Sequence, residues 1–205
     1  MDSTDVESLA IIDRAISNNR FSPAHYEIIR QIIFRTADFD YYSLLHLSES
    51  ALHQGQIALS NHKPIIVDVP SIQVEIAPLL YRTFLNPVYC CHNVNLKSKP
   101  GNSIYSLGLQ ALAEKHPDAI YIVAEEQSAF NTLVQLIQKE VIKPSLVIAT
   151  APVFTTHSNQ EWLINSFIPN ICLNGDKGGI SVALPIIKSL INLVWYEHQN
   201  TEVRN

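Results

Sequence analysis

The chain has 205 residues, 47% of them hydrophobic, and its 14 Lys and Arg against 19 Asp and Glu give a net charge of −5. This length and apolar content suit one domain, residues 1–205, that buries a sizeable core. Neither sign of charge forms a long run, which argues against nucleic acid or an anionic membrane as a partner. The first five residues are polar and acidic, unlike a secretion signal, and no uninterrupted apolar run is long enough to span a bilayer. We therefore expect a cytoplasmic protein.

Two amphipathic helices are predicted at the start of the chain. Ile11, Ile12, Ala15 and Ile16 fall at helical spacing. A second helix should begin at Ser22-Pro23, because serine is a favoured N-cap and proline a favoured first helical residue. Its apolar positions are Tyr26, Ile28, Ile29, Ile32 and Ile33.

Short apolar runs then recur along the chain, at residues 64–69, 88–91, 120–123, 146–149 and 170–173. Runs of this length without polar alternation are typical of strands in a parallel sheet covered on both faces. Helical patterns at residues 104–115, 128–138, 160–165 and 179–196 would supply the crossover connections. The predicted fold is a three-layer α/β sandwich with a mostly parallel sheet of about five strands, and ligands of such sheets lie beyond the carboxyl ends of the strands.

The cysteines do not indicate a metal site. Cys90, Cys91 and Cys172 lack ligand spacing. We expect reduced, packed thiols, and no cofactor or metal. Residues 97–102 are polar and contain proline and glycine, so they are predicted to form a surface loop.

Three motifs carry a resemblance to a known family. They are the helix start at residues 8–12 with Ser8, the segment Thr36-Ala37-Asp38-Phe39-Asp40, and the loop Gly175-Asp176-Lys177-Gly178-Gly179. Further matches are Pro64, Ile65 and Asp68 in one predicted strand, and Phe154. Together, over residues 8–193, the chain resembles the precorrin-8X methylmutase family. The resemblance implies a homodimer that moves a methyl group between adjacent carbons of a corrinoid macrocycle, a tetrapyrrole substrate bound near the subunit interface.

The departures from that family lie where chemistry is expected. Phe34 stands at the position of the family's histidine, which the resemblance implies to be a proton donor or stabiliser, and a phenyl ring has no proton to give. The following Arg35 is a poor donor because its pKa exceeds about 12. Alternative donors are His46, His157 or a neighbouring tyrosine, Tyr41 or Tyr42, although a histidine is more often structural than catalytic.

The predicted substrate-binding residues are Ser8, Arg35, Asp38, Asp40, Asp68, Ser103, Ile104, Lys177, Gly178 and Gly179. Ile104 replaces an arginine of the family pattern, Asp176 replaces a basic residue, and Glu125-Glu126-Gln127 replace Asn-Ala-Pro. We therefore expect any bound tetrapyrrole to carry fewer free carboxylates than the corrinoid acids. Gly178-Gly179 could present N–H groups to an anion or could simply permit a tight turn, and the aspartate pair could equally be a solvated or capping feature.

Three functions remain open from the sequence. The first is a methylmutase with an altered acid. The second is a catalytically inactive relative that binds a tetrapyrrole as a carrier, sensor or regulatory subunit. The third is an interaction module whose old pocket is filled by Phe34. Fold alone does not choose among them, because function depends on the site.

Overall fold

A computed structural model describes residues 3–16, 21–94, 103–152 and 157–202. The predicted surface loop at residues 97–102 and Phe154 therefore lie outside the described residues. The helices are α1 (Ser3–Ala15), α2 (Pro23–Thr36), α3 (Tyr41–Leu44), α4 (Ala51–Ser60), α5 (Pro70–Tyr81), α6 (Ile104–Lys115), α7 (Gln127–Gln138), α8 (Ser158–Ile164) and α9 (Ile180–Glu202). The strands are β1 (Leu45–Leu47), β2 (Ile65–Val67), β3 (Val88–Cys90), β4 (Ile120–Val123), β5 (Leu146–Ala149) and β6 (Asn170–Leu173).

Within the described residues, six strands form one sheet in the order β1-β6-β5-β4-β2-β3. Strands β2 to β6 pair in parallel, and β1 pairs antiparallel with β6 at one edge. The mostly parallel sheet is confirmed, but the sequence prediction of about five strands missed β1. This strand has three residues and only its first is buried, so it lacks the apolar run that marks the central strands.

The sheet separates two apolar cores, as alternation along a strand requires. Ile65 and Val67 of β2 face a core shared with α1, α2, α4, α5 and α9, whereas Ile66 faces a core shared with α6, α7 and α8. The three-layer architecture is therefore confirmed. The sequence reading placed no helix at α4 or α5, and α9 continues beyond the predicted residue 196 to Glu202.

Helix α2 begins as its sequence predicts. Ser22 is the N-cap, its side chain accepts the backbone N–H of His25 at 3.3 Å, and Pro23 occupies the first turn. Ala37 ends the helix in the left-handed conformation, with φ of 55°, and its N–H donates to the carbonyl of Ile33. This ending turns the chain so that residues 38–40 leave the helix axis.

Helix α9 is long and apolar enough, by length and composition, to cross a membrane. Half of that stretch is buried within the protein, where Val182, Ile186, Ile187 and Leu190 join the core beside α2 and β5. Its apolarity is therefore explained by packing inside the domain.

Candidate functional site

The carboxyl ends of the parallel strands meet at one edge of the sheet, where polar residues follow four neighbouring strands. Asp68 follows β2, Glu125 and Glu126 follow β4, Thr150 follows β5, and a glycine-containing loop at residues 174–179 follows β6. This edge is where ligands of open α/β sheets bind. We call these residues, with Asp38, Asp40 and His157, the carboxyl-edge site.

Asp68 shapes the turn beneath this site. Its side chain is fully buried, and its Oδ2 accepts the backbone N–H groups of Ala124, Glu125 and Glu126 at 2.9, 2.8 and 3.0 Å. These three N–H groups belong to the turn between β4 and helix α7, so the carboxylate holds that turn in place. Burial raises the pKa of Asp68, and the three N–H groups oppose that shift because they favour the charged form. The other oxygen, Oδ1, is buried and has no hydrogen-bond partner in the described structure.

The glycine loop is fastened to the end of β5. The N–H of Gly179 donates to the carbonyl of Thr150 at 2.7 Å, and the Thr150 hydroxyl donates to the carbonyl of Gly179 at 3.1 Å. A Cβ added at Gly178 would lie 2.0 Å from the Thr150 carbonyl oxygen, and Gly179 has φ of 99°. Gly178 is therefore required because a side chain would not fit, and Gly179 because its backbone conformation disfavours other residues.

Lys177 of this loop is held by the aspartate pair. Its Nζ lies 2.6 Å from Oδ2 of Asp38 and 2.6 Å from Oδ2 of Asp40, and 6.0 Å from the ring centroid of Tyr41. The lysine lowers the pKa of Asp38, and the two carboxylates raise the pKa of Lys177. The structure thus brings together three residues predicted for substrate binding, and the two aspartates balance the positive charge of Lys177.

Glu125 occupies the start of helix α9. Its Oε1 accepts the N–H of Ile180, the first helical residue, at 3.0 Å. Burial raises the pKa of neighbouring Glu126, and the negative charges of Asp68 and Glu125 raise it further. The helix N-terminus that the sequence offered to an external anion is therefore already capped by a carboxylate of the chain.

His157 joins helix α8 to the same loop. Its Nε2 lies 3.2 Å from Oδ1 of Asp176, and its Nδ1 lies 3.2 Å from Oε1 of Gln160. The amide nitrogen of Gln160 donates to the carbonyls of Leu173 and Gly175, which leaves its oxygen facing the histidine. Both ring nitrogens thus contact oxygen atoms, so the ring links helix α8 to the glycine loop.

Phe34 and Arg35 lie along a different surface. Both line an open groove of about 740 Å³ between α2 and α9, together with Leu184, Pro185 and Lys188. Phe34 is half-buried against the core on the α2 side, and Arg35 is exposed. Phe34 therefore forms part of a groove wall and does not plug a closed pocket.

The other predicted site residues are less closely associated. His46 pairs with Cys172 across the β1–β6 ladder, and burial lowers its pKa. Ser103 is the N-cap residue of α6 and its hydroxyl lies 2.7 Å from that of Ser128, whereas Ile104 is 41% exposed beside it. Ser8 is half-buried on α1, and among the described contacts none joins its side chain to the carboxyl-edge site.

The sequence did not indicate Thr150, a member of the site, or Gln160, which contacts His157 and the loop after β6. Thr150 was detectable in principle, because it is the first polar residue after a buried strand. Gln160 had no local signal, since its role depends on the packing of α8 against the loop after β6.

An open α/β sheet with polar residues at its carboxyl edge is the arrangement in which doubly wound α/β proteins bind their ligands. The comparisons with known proteins specify the family. The model of the precorrin-8X methylmutase family matches residues 5–193, so the chain belongs to that family, which functions in cobalamin biosynthesis.

Individual relatives agree with this assignment. The chain is 30% identical over 207 residues to a cobalt-precorrin-8 methylmutase of Synechocystis sp., covering 94% of this chain and 95% of the relative. It is 29% identical over 178 residues to one of Methanocaldococcus jannaschii, covering 84% and 81%. The solved precorrin-8x methyl mutase of Thermus thermophilus superposes with a TM-score of 0.81 at 26% identity, covering 94% of this chain and 98% of that one.

Proposed function

We propose that this protein catalyses methyl migration on a corrinoid of the cobalt-precorrin-8 class, in the cytoplasm and without a separate cofactor, and that His157 acts as the proton donor. Full-length family membership supports the reaction class. The observation that carries the role of His157 is its geometry: the imidazole lies exposed at the carboxyl edge, with its ring nitrogens 3.2 Å from Asp176 and 3.2 Å from Gln160.

The reaction requires little covalent chemistry from the protein. One carbon–carbon bond to the migrating methyl breaks as another forms on the adjacent ring carbon, and no atom is gained or lost. A protein group can lower the barrier by donating a proton or hydrogen bond to the ring and taking it back afterwards, an effect of about 10²–10⁴-fold for a positioned acid. Phe34 cannot do this. His157 can, because it is an imidazole, its side chain is 41% exposed, and its contact with Asp176 orients the ring at the carboxyl edge.

A second candidate function is corrinoid binding without turnover. The observation in its favour is that Phe34, which stands at the position of the family's histidine, forms part of the groove wall and has no proton to give. Under this alternative, the His157–Asp176 contact would serve only to fasten α8 to the glycine loop. The same assay separates the two functions, because only the first requires conversion of the ring.

The experiment measures conversion of cobalt-precorrin-8 by its absorption spectrum. His157→Gln should lower kcat by about 10²-fold or more, the lower end of general-acid effects. His53→Gln is the matched control, because His53 is exposed on α4. Unchanged turnover in His157→Gln would overturn the proposed role. Bound but unconverted corrinoid in the wild type, with turnover gained in Phe34→His, would establish the second function.

We also propose that the protein is a homodimer. The apolar faces of α1 and α2 offer little surface for an interface, because Ile12, Ile29 and Ile33 are buried in the core of the single chain, whereas Ile11 is 60% exposed. The proposal is supported by family membership and by the open α2–α9 groove, whose apolar wall includes Phe34 and Leu184.

A further inference from the structure

A second open groove lies between α7 and α8, on the layer of the sandwich opposite to α2 and α9. Its volume is about 860 Å³. The apolar part of its wall includes Ile137 and Ile142, which are buried, and Trp162, which is half-buried. The proposed function makes no use of this groove, so its apolar wall requires another explanation.

Phe167 forms one rim of this groove, in the loop between α8 and β6. It is fully exposed, more so than any other large apolar side chain that the structure describes. It also lines a smaller hollow of about 390 Å³, together with Gln54 of α4 and Pro144 before β5. The ring therefore projects between two depressions of the surface, where burial against another molecule would remove its apolar area from water.

Hydrogen bonds fix the loop that presents Phe167. The Ser166 hydroxyl donates to the carbonyl of Leu163 at 2.8 Å and accepts the N–H of Ile168 at 3.3 Å. The fully buried side chain of Asn170 donates to the carbonyls of Leu163 and Ile168 at 3.0 and 2.9 Å. Both neighbours of Phe167 are thus held in place, so binding through this ring would not require the loop to become ordered.

The groove also carries charges of both signs. Glu140, Lys143 and Glu161 line it, and all three are exposed. None of them is in a salt bridge with another residue of the described ranges. A partner with charges of one sign would meet like charge at part of this surface. A second copy related by a two-fold axis would instead bring Lys143 of one chain toward the glutamates of the other.

We propose that a second copy of this chain binds at the α7–α8 groove, with Phe167 of each copy inserted into the groove of the other about a two-fold axis. This contact is separate from the α2–α9 groove, because the two grooves share no lining residue. Phe167 and Lys143 precede β6 and β5, so they lie at the opposite edge of the sheet from the carboxyl-edge site. One aromatic anchor per copy makes a small interface, so the pairing is expected to be weak and to appear above micromolar concentrations.

The test is photo-cross-linking of the purified full chain. Gln138→p-benzoylphenylalanine places a photoreactive ring at an exposed position of the groove. Irradiation should give a covalent dimer on a denaturing gel, and peptide mapping should place the new bond in residues 165–169. Mixing with isotope-labelled chains that lack the probe shows whether the bond joins two copies. The absence of a covalent dimer, or bonds to a second copy only at other segments, would overturn the inference.

Two variants compare Phe167 with another exposed aromatic residue. In the chain that carries the probe, Phe167→Ser should lower the yield of covalent dimer by about tenfold or more, the effect of losing a central aromatic anchor. Tyr81→Ser is the matched control, because Tyr81 is exposed at the end of α5, on the other layer. An equal yield from wild type and Phe167→Ser, or an equal loss in both variants, would contradict the insertion of Phe167.

A charge exchange tests whether the groove recognises its own copy. Lys143→Glu leaves only acidic residues among the three charged positions, and Glu140→Lys/Glu161→Lys leaves only basic ones. Each variant alone should lose most of the covalent dimer, and their mixture should regain it because opposite charges then meet. Lys139→Glu is the control, since Lys139 is exposed but does not line the groove. A mixture that gives no more covalent dimer than either variant alone would reject a second copy as the occupant.

Discussion

Replacing Asp68 by alanine should destabilise the fold strongly, because this side chain holds the turn on which the candidate site is built. Its Oδ2 accepts three backbone N–H groups at 2.8–3.0 Å in a fully buried position. Each hydrogen bond to a charged acceptor contributes about 1.5–3 kcal/mol. The desolvation of the carboxylate, which is several kcal/mol, is relieved in the variant and offsets part of that loss.

We expect a net loss of about 2–4 kcal/mol in the free energy of unfolding, out of the ~5–15 kcal/mol of a typical domain. For a chain of this size that corresponds to a fall in Tm of about 4–16 °C. The assay is urea and thermal unfolding followed by circular dichroism. Asp118→Asn is the control, because Asp118 makes a half-exposed ion pair with Lys63, which is worth at most about 1 kcal/mol. Equal stability of the two variants would refute the role of Asp68 in holding the turn after β4.

Three further predictions concern the loop, the histidines and assembly. Gly178→Ala should lower Tm more than Gly175→Ala in the same thermal assay, since the new methyl would lie 2.0 Å from the Thr150 carbonyl oxygen in the first case and 3.5 Å from a leucine side chain in the second. Burial lowers the pKa of His25 and His46 in the folded chain. Below about pH 6.5 the unfolded chain therefore binds protons at these histidines that the folded chain does not. Stability should therefore fall as pH falls from 7.5 to 5.5, and a His25→Gln/His46→Gln double variant should show a shallower fall in urea titrations; an unchanged slope would contradict this. Light scattering at micromolar concentration should give the mass of a dimer, and a monomer mass would reject the homodimer.

The sequence predicted the central strands well because their burial leaves a simple signal. Strands β4, β5 and β6 begin and end where the apolar runs do, since every residue of each is buried. Helix α4 was missed because its interior includes Gly55, a residue that weakens a helical pattern. That glycine has a packing reason, because a Cβ there would lie 2.8 Å from the side chain of Leu190 on α9. This contact joins residues that are far apart in the chain, so the local sequence does not predict it.

The same limit applies to the site. Its residues were identified through motifs. The ion pairs between them were not predicted, because Lys177 and Asp38 are 139 positions apart. The sequence suggested that Lys177 would attract a ligand, whereas the structure gives it two internal partners. For the loop glycines the sequence left two alternatives, an anion site or a tight turn, and the close approach of Thr150 gives the tight turn a physical cause.

The unusual residues of this chain are coupled to one another in space. Asp176, which replaces a basic residue of the family pattern, contacts His157, and Glu125, which replaces a neutral turn residue, caps α9. Each change thus has a partner that uses its charge, so the acidic substitutions cannot be regarded as independent losses. Both contacts lie at the carboxyl edge of the sheet, one at the glycine loop and the other at the start of α9. A variant at Asp176 or Glu125 would therefore change how these segments are held as well as the local charge, and restoring a histidine at Phe34 alone would leave both contacts in place.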